Sequence, residues 1–377
     1  NTHSVAFLYE NNKEEDQINC EHNIWDNCRQ QKASGGYNRC AFDIRAKNLV
    51  QFQNNTIQNC FYTEGYIGFL EAKDSLVINE CTFHNNNSGE KGGGIGLTLG
   101  SNSMNVTFEH CTFTNNHANN NYGSNGCGGS IQFGSLDESP NQHAYHIYNC
   151  EFTSNVADRV GGAICIDSKE SIDIVSCTFT NNRATQLHTV SELQGGAAIF
   201  IRPSSSSLQN SCSLNANHQI TNCTFVGNSA QTDSHAIHFE GKCPGFISQC
   251  TFIDNSKANA GAQISTSAGG ELEINDCTIE RNLDSTRCRA IHHLSGQLNL
   301  HDCEFRNLAM IQGGSAILID RRISQASGLD ILIYNNTFTN CGTQGYVVKC
   351  NGPSLLFDNN TIIFDDISES CGCLDIA

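Results

Sequence analysis

The sequence predicts an all-β chain wound as a parallel β-helix, a solenoid of about 11–12 coils with three short strands per coil. Three observations carry this. A triplet of Cys or Asn, then Thr or Glu, then Phe or Ile recurs eleven times, from Asn55-Thr56-Ile57 to Asn360-Thr361-Ile362. Its short intervals define a unit of 24 to 27 residues, and the longer ones, up to 46, are that unit plus loops. Apolar residues lie three and five positions before the triplet, and a Gly-Gly-Ala-Ile-like segment follows it. One coil cannot bury its apolar side alone and must stack on its neighbours.

The first strand of each unit is read from Leu76/Ile78, Ile172/Ile174, Leu272/Ile274, Leu298/Leu300 and Ile331/Ile333. This alternation gives a short strand with one face buried. The triplet is the second strand, with the Cys and the aromatic inward and Thr outward. Asn86, Asn116, Asn155, Asn182, Asn228, Asn255 and Asn282 fall three residues after the aromatic, where Asn suits a corner because it tolerates left-handed backbone. The third strand is read from Gly128-Gly129-Ser130-Ile131, Gly161-Gly162-Ala163-Ile164, Gly195-Gly196-Ala197-Ala198 and Gly313-Gly314-Ser315-Ala316. Twelve coils at about 4.8 Å make a rod of about 55 Å.

Residues 1–53 are read as an N-terminal cap and first coil, 54–364 as the helix repeats, and 365–377 as a C-terminal cap or the start of a following segment. Trp25 is expected to close the open end of the core. The chain begins at Asn1 with no apolar leader, which suggests a processed form.

The Gly-Gly-Ala-Ile and Phe-x-x-Asn motifs resemble the repeats of polymorphic outer membrane proteins, the chlamydial surface adhesins. Similar Cys-Thr-Phe-x-Asn-Asn repeats occur in surface proteins of parasitic and ciliated protists. The resemblance covers residues 20 to 364 and implies an adhesive or surface-coat β-helix. Unlike the bacterial family, this chain shows no recognisable C-terminal membrane barrel. Right-handed winding follows from the resemblance and from the general rule for parallel crossovers.

Composition restricts function. A formal charge of −17 disfavours nucleic acid, which requires clustered Lys and Arg. No run of 18 apolar residues exists to span a bilayer as a helix, and no cofactor motif is present. The leading expectation is a non-enzymatic extracellular or cell-surface protein, acting as adhesin, coat or filament component. Its partners would be proteins or glycans, or other chains of an extracellular assembly. Long insertions offer Asn119, Asn120, Tyr122, Asp137, Glu138, His188, Glu192, Ser205 and Asn210 as interaction residues; tolerated surface insertion explains them equally well. Outward Val77, Phe246, Leu332 and Leu356 are candidate docking points.

The rival class is a carbohydrate-active enzyme, since lyases and hydrolases use this fold. The outward column of the first strand reads Gln51, Val77, Thr107, His146, Asp173, Gln219, Phe246, Glu273, Asn299, Leu332 and Leu356. His146 beside Asp173 is its one tempting pair, and an ordinary surface hydrogen bond accounts for it. Galacturonase-like motifs are absent, so no catalytic residue is assigned. His238 and His292, expected to point outward two coils apart around Ser265, are too distant to share a zinc ion, so no metal site is assigned. A minor alternative is ice binding by the outward Thr column (56, 82, 112, 178, 224, 251, 278, 337, 361), broken by Glu151 and Glu304.

Sequons occur at Asn54, Asn86, Asn105, Asn222, Asn335 and Asn359. Of 21 cysteines, Cys81, Cys111, Cys150, Cys177, Cys223, Cys250, Cys277 and Cys303 form one inward column, where Cys serves as a small hydrophobe. The others suggest bridges such as Cys20–Cys28, Cys40–Cys60, Cys212–Cys243 and Cys341–Cys350, with a thiolate site of Cys341, Cys350, Cys371 and Cys373 as the alternative at the C-terminal end.

Overall fold

The computed structural model describes residues 7–10, 17–30, 42–46, 48–62, 67–72, 74–89, 92–99, 105–119, 126–135, 144–167, 170–185, 195–202, 217–231, 234–241, 244–255, 261–267, 270–282, 289–294, 296–308, 315–320, 331–341, 346–351, 354–364 and 372–376. Two sheets of twelve parallel strands run the length of the rod. The first face starts at Gln17–Glu21 and ends at Leu355–Asp358; the second starts at Ile24–Asp26 and ends at Thr361–Ile363. A third face of ten strands runs from Ile95–Leu99 to Gly372–Ile376, and three further strands, Phe7–Glu10, Phe42–Arg45 and Gly68–Glu71, precede it. Seven two-residue strands, Arg29–Gln30 to Ser229–Ala230, add a narrow fourth ribbon after the second face. The sequence did not signal that ribbon.

Register is strict because one residue of slip would turn every apolar side chain outward. First-face strands alternate half-buried and buried, as in Ser75–Asn79 and Ser171–Val175. On the second face Phe83, Phe113, Phe152, Phe179, Phe225 and Phe252 stack ring on ring with centroids 4.7–4.9 Å apart and planes within 5°. Each ring is fully buried and contributes about 2–3 kcal/mol by that burial. Trp25 packs against Phe42 and Phe52 at 5.0 and 5.4 Å.

Left-handed residues mark two corners of most coils. At the first corner these are His22, Asn54, Glu80, His110, Asn149, Ser176, Asn222, Gln249, Asp276, Asp302, Asn335 and Asn359, with φ between 50° and 57°. At the second they include Asn27, Asn59, Asn85, Asn115, Ser154 and Asn181. The left-handed residue therefore precedes the Asn of Phe-x-x-Asn, correcting the expected phase by one position. Asn86, Asn116, Asn155, Asn182, Asn228 and Asn255 point inward and are buried. Asn282 leaves that column and is exposed, with Arg281 buried beside it.

The inward asparagines form a ladder. Asn116 Oδ1 accepts the Asn86 backbone N–H at 3.2 Å and Asn86 Nδ2–H at 3.0 Å, while Asn116 Nδ2 also donates to Phe83 O at 2.9 Å. The pattern repeats to Asn255. Cysteines make the equivalent ladder at the first corner: Cys150 Sγ accepts the Cys111 N–H at 3.4 Å, and Cys111 Sγ–H donates to Ile78 O at 3.5 Å.

The paired glycines have separate tasks. Gly161 is left-handed at φ 66°, and a Cβ there would lie 2.4 Å from Ile164 O. A Cβ on Gly162 would lie 2.2 Å from Ala197 O of the next coil.

Candidate binding face

The registers place the outward first-face column as the sequence predicts, from Gln51 opposite Val77 to Leu332 opposite Leu356. His146 and Asp173 are direct neighbours, with Nδ1 3.0 Å from Asp173 Oδ2. Tyr148, two residues along and so on the same side of the strand, brings its hydroxyl to 3.0 Å from the same nitrogen. Burial, with Asp173 and Glu109 nearby, raises the Tyr148 phenol above its ordinary value. The His146 and Asp173 side chains stay 27% and 33% exposed, so solvent reaches the cluster.

Farther along the same face lies an open groove of about 550 Å³. Gln219, Phe246, Glu273, Asn299 and Leu332 supply its floor from five successive coils. Asn217, Pro244, Glu271 and Gln297 line it from the segments leading into those strands. Glu273 is held from one side: Asn275 Nδ2 donates to its Oε1 at 3.2 Å, and His301 Nε2 lies 3.5 Å away. His301 stacks on Tyr334 at 4.9 Å, and its Nδ1 is 2.7 Å from Asp302. The sequence identified the floor but not Glu271 or Gln297, whose place depends on how the chain enters each strand.

His238 and His292 do follow the third-strand Ile on the outer side, yet that side is covered. His238 is 6% exposed, stacks on Phe200 at 5.4 Å and has Nδ1 2.6 Å from Ser265 Oγ. Burial, with His292 adding to it, lowers its pKa to about 3. Cys127, Val160, Cys165 and Phe200 form a second apolar cluster beside it, and Arg202 forks onto Asp167, its second bond at 2.7 Å. Both histidines thus lie on the outer side as expected, His238 covered there and His292 half-buried.

The description "right handed beta helix region" matches residues 139–373, more than half the chain's length. The chain belongs to that right-handed β-helix family. Among solved structures, this β-helix is similar to a double mutant of the periplasmic alginate epimerase AlgG, at 8% identity and a TM-score of 0.31, over 89% of this chain and 78% of that one. That likeness carries no activity across. No curated protein matches the sequence.

The remaining candidates are placed as follows. Fifteen of the described cysteines, Cys20, Cys28, Cys60, Cys341 and Cys350 among them, are thiols, which corrects the expected Cys20–Cys28, Cys40–Cys60 and Cys341–Cys350 bridges. Cys20 is inward on the first face opposite Phe52, whereas Cys28 occupies the second corner and its thiol lies against that of Cys60 in the next coil. Cys341 is buried at the second corner and Cys350 on the third face opposite Ile319. Cys40, Cys212, Cys243 and Cys371 lie outside the described residues. Among the sequons, Asn86 is only 1% exposed with its amide inside the ladder, so the folded chain offers no acceptor there. Asn105, Asn222, Asn335 and Asn359 are exposed and Asn54 is half-buried. Asn119 is half-buried, its Nδ2 bonded to Asn87. Asn120, Tyr122, Asp137, Glu138, His188, Glu192, Ser205 and Asn210 lie outside the described residues. The outward Thr column is in register, but Glu304 pairs with Arg306 at 2.6 Å and places charge on that face. Among the described residues no helix is long and apolar enough to cross a membrane.

Proposed function

We propose that this β-helix is an extracellular or cell-surface binding protein, an adhesin or coat component, that holds a glycan along its first face. The first-face groove carries the reading. It combines an aromatic side chain, Phe246, with the amides of Asn217, Gln219, Gln297 and Asn299 and two carboxylates. An aromatic body with convergent polar groups fixes and orients a hydroxyl-rich ring. The groove stands on coils locked by the stacked rings and both ladders, so little ordering cost accompanies binding. The resemblance to surface adhesins and the exposed corner sequons support a place outside the cytoplasm. The buried ladder thiols are shielded and favour neither compartment.

Calorimetry against a panel of glycan tetramers tests it. Wild type is expected to bind at least one member, and Phe246→Ala to weaken that binding about tenfold with no change in melting temperature. Equal affinity in both proteins would remove the groove from the account.

The Tyr148–His146–Asp173 cluster favours a second reading, a carbohydrate-active enzyme. With Nδ1–H donating to Asp173, the ring is oriented and Nε2 remains as the base. A degradation screen with and without Ca²⁺ separates the readings. Turnover by wild type that His146→Ala abolishes would replace the binding reading with this one.

A further inference from the structure

Resting on the glycan-binding reading, we infer that the first-face groove selects a saccharide bearing free amino groups, of glucosamine type. Charge complementarity carries the choice. Among the described residues, the charged ones lining the groove are Glu271 and Glu273, two positions apart, and neither Lys nor Arg lines it. The chain as a whole carries −17, so an acidic polysaccharide meets repulsion both locally and at a distance. A neutral saccharide could use the amides but would gain nothing from the carboxylates. An ammonium group beside Glu273 forms a charge-assisted hydrogen bond, the stronger class.

The geometry assigns the parts. Phe246 and Glu273 are register partners on adjacent strands, separated by about 4.8 Å along the rod, close to the length of one pyranose unit in an extended chain. A ring lying on Phe246 therefore places the amino group of its neighbour at Glu273, while Gln219 and Asn299, one coil beyond on either side, meet the flanking units. Glu273 is positioned for this: Asn275 fixes one oxygen at 3.2 Å, and the side chain remains 43% exposed. The five-coil floor, about 19 Å long, spans roughly four such units.

The test measures binding of the glucosamine tetramer, its fully N-acetylated counterpart, a galacturonate tetramer and tetralysine at low salt. Mildly acidic conditions keep the ligands' amines protonated. The amine tetramer is expected to bind about tenfold more tightly than the acetylated one. Glu273→Gln and Glu271→Gln should each remove most of that difference and leave the melting temperature and the acetylated ligand's affinity unchanged. Added salt should erode the same difference. Equal binding of aminated and acetylated tetramers, or preference for galacturonate, would overturn the inference and leave the glycan reading standing. Tetralysine binding as tightly as the glucosamine tetramer would overturn the saccharide assignment. Failure of every glycan to bind would overturn both.

Discussion

At the first corner the inward ladder runs Asn23, Asn55, eight cysteines from Cys81 to Cys303, then Asn336 and Asn360. At the second it runs Cys28, Cys60 and then six asparagines from Asn86 to Asn255. The two columns exchange their chemistry, and the hydrogen bonding survives the exchange. The Cys60 N–H donates to Asn86 Oδ1 and the Cys303 N–H to Asn336 Oδ1, each at 3.0 Å. The position thus requires a short side chain that accepts the N–H of the preceding coil and donates back to a carbonyl of that coil, and either residue meets that requirement. They differ in strength. Amide oxygen accepts at about 3.0 Å along most of the Asn ladder, with a second bond from Nδ2, whereas sulfur accepts once at 3.4 Å and is a weak acceptor.

The largest effect is expected from Asn155→Ala. It strands the Asn116 N–H and Phe113 O inside the rod and should cost about 4 kcal/mol in chemical unfolding. Asn155→Cys should recover at least half of that, because the column already accepts Cys at 28 and 60; no recovery would show that the columns are not equivalent.

Acid should not break the asparagine ladder, since amides take up no proton in that range. It should act through His218, buried inward on the first face, whose pKa burial lowers from 6.5 to about 4. The unfolded chain gains its proton first, so stability is fully present above pH 6.5, falls below it, and is about 3 kcal/mol lower by pH 4. Urea midpoints across that range measure this, and His218→Leu should remove the His218 share while leaving that of His238, whose pKa burial lowers to about 3.

Cys177→Ala, which removes one sulfur rung, should cost about 2 kcal/mol, clearly less than the Asn rung. The smallest effect belongs to the corner itself. Asn149→Ala, at φ 53° and exposed, should cost about 1 kcal/mol, and Asn149→Gly less than half of that.

The period, the inward and outward assignments and the His146–Asp173 contact were legible because a two-residue alternation inside a 24–27-residue repeat leaves one register. The corner phase was not, since pairs such as Asn85-Asn86 and Asn181-Asn182 put the same residue at both the left-handed and the inward position. Tyr148 was overlooked although its spacing from His146 places it on the same side. The covering of His238 depends on Phe200 and Cys165, outward by alternation yet buried by a second apolar cluster that no local pattern announces. The groove depends on how Glu271 and Gln297 enter their strands, which is a property of neighbouring coils.

The near-identity of successive interfaces along the ladders bears on how such a rod changes length. Because Cys150 and Cys177 stand in equivalent positions 27 residues apart, duplicating or excising that interval presents each neighbour with the partner it already has. The natural unit of change is then a whole coil of about 4.8 Å, added or lost without redesigning either junction. Reach from an anchoring point could be tuned in such steps while the groove on other coils is left intact.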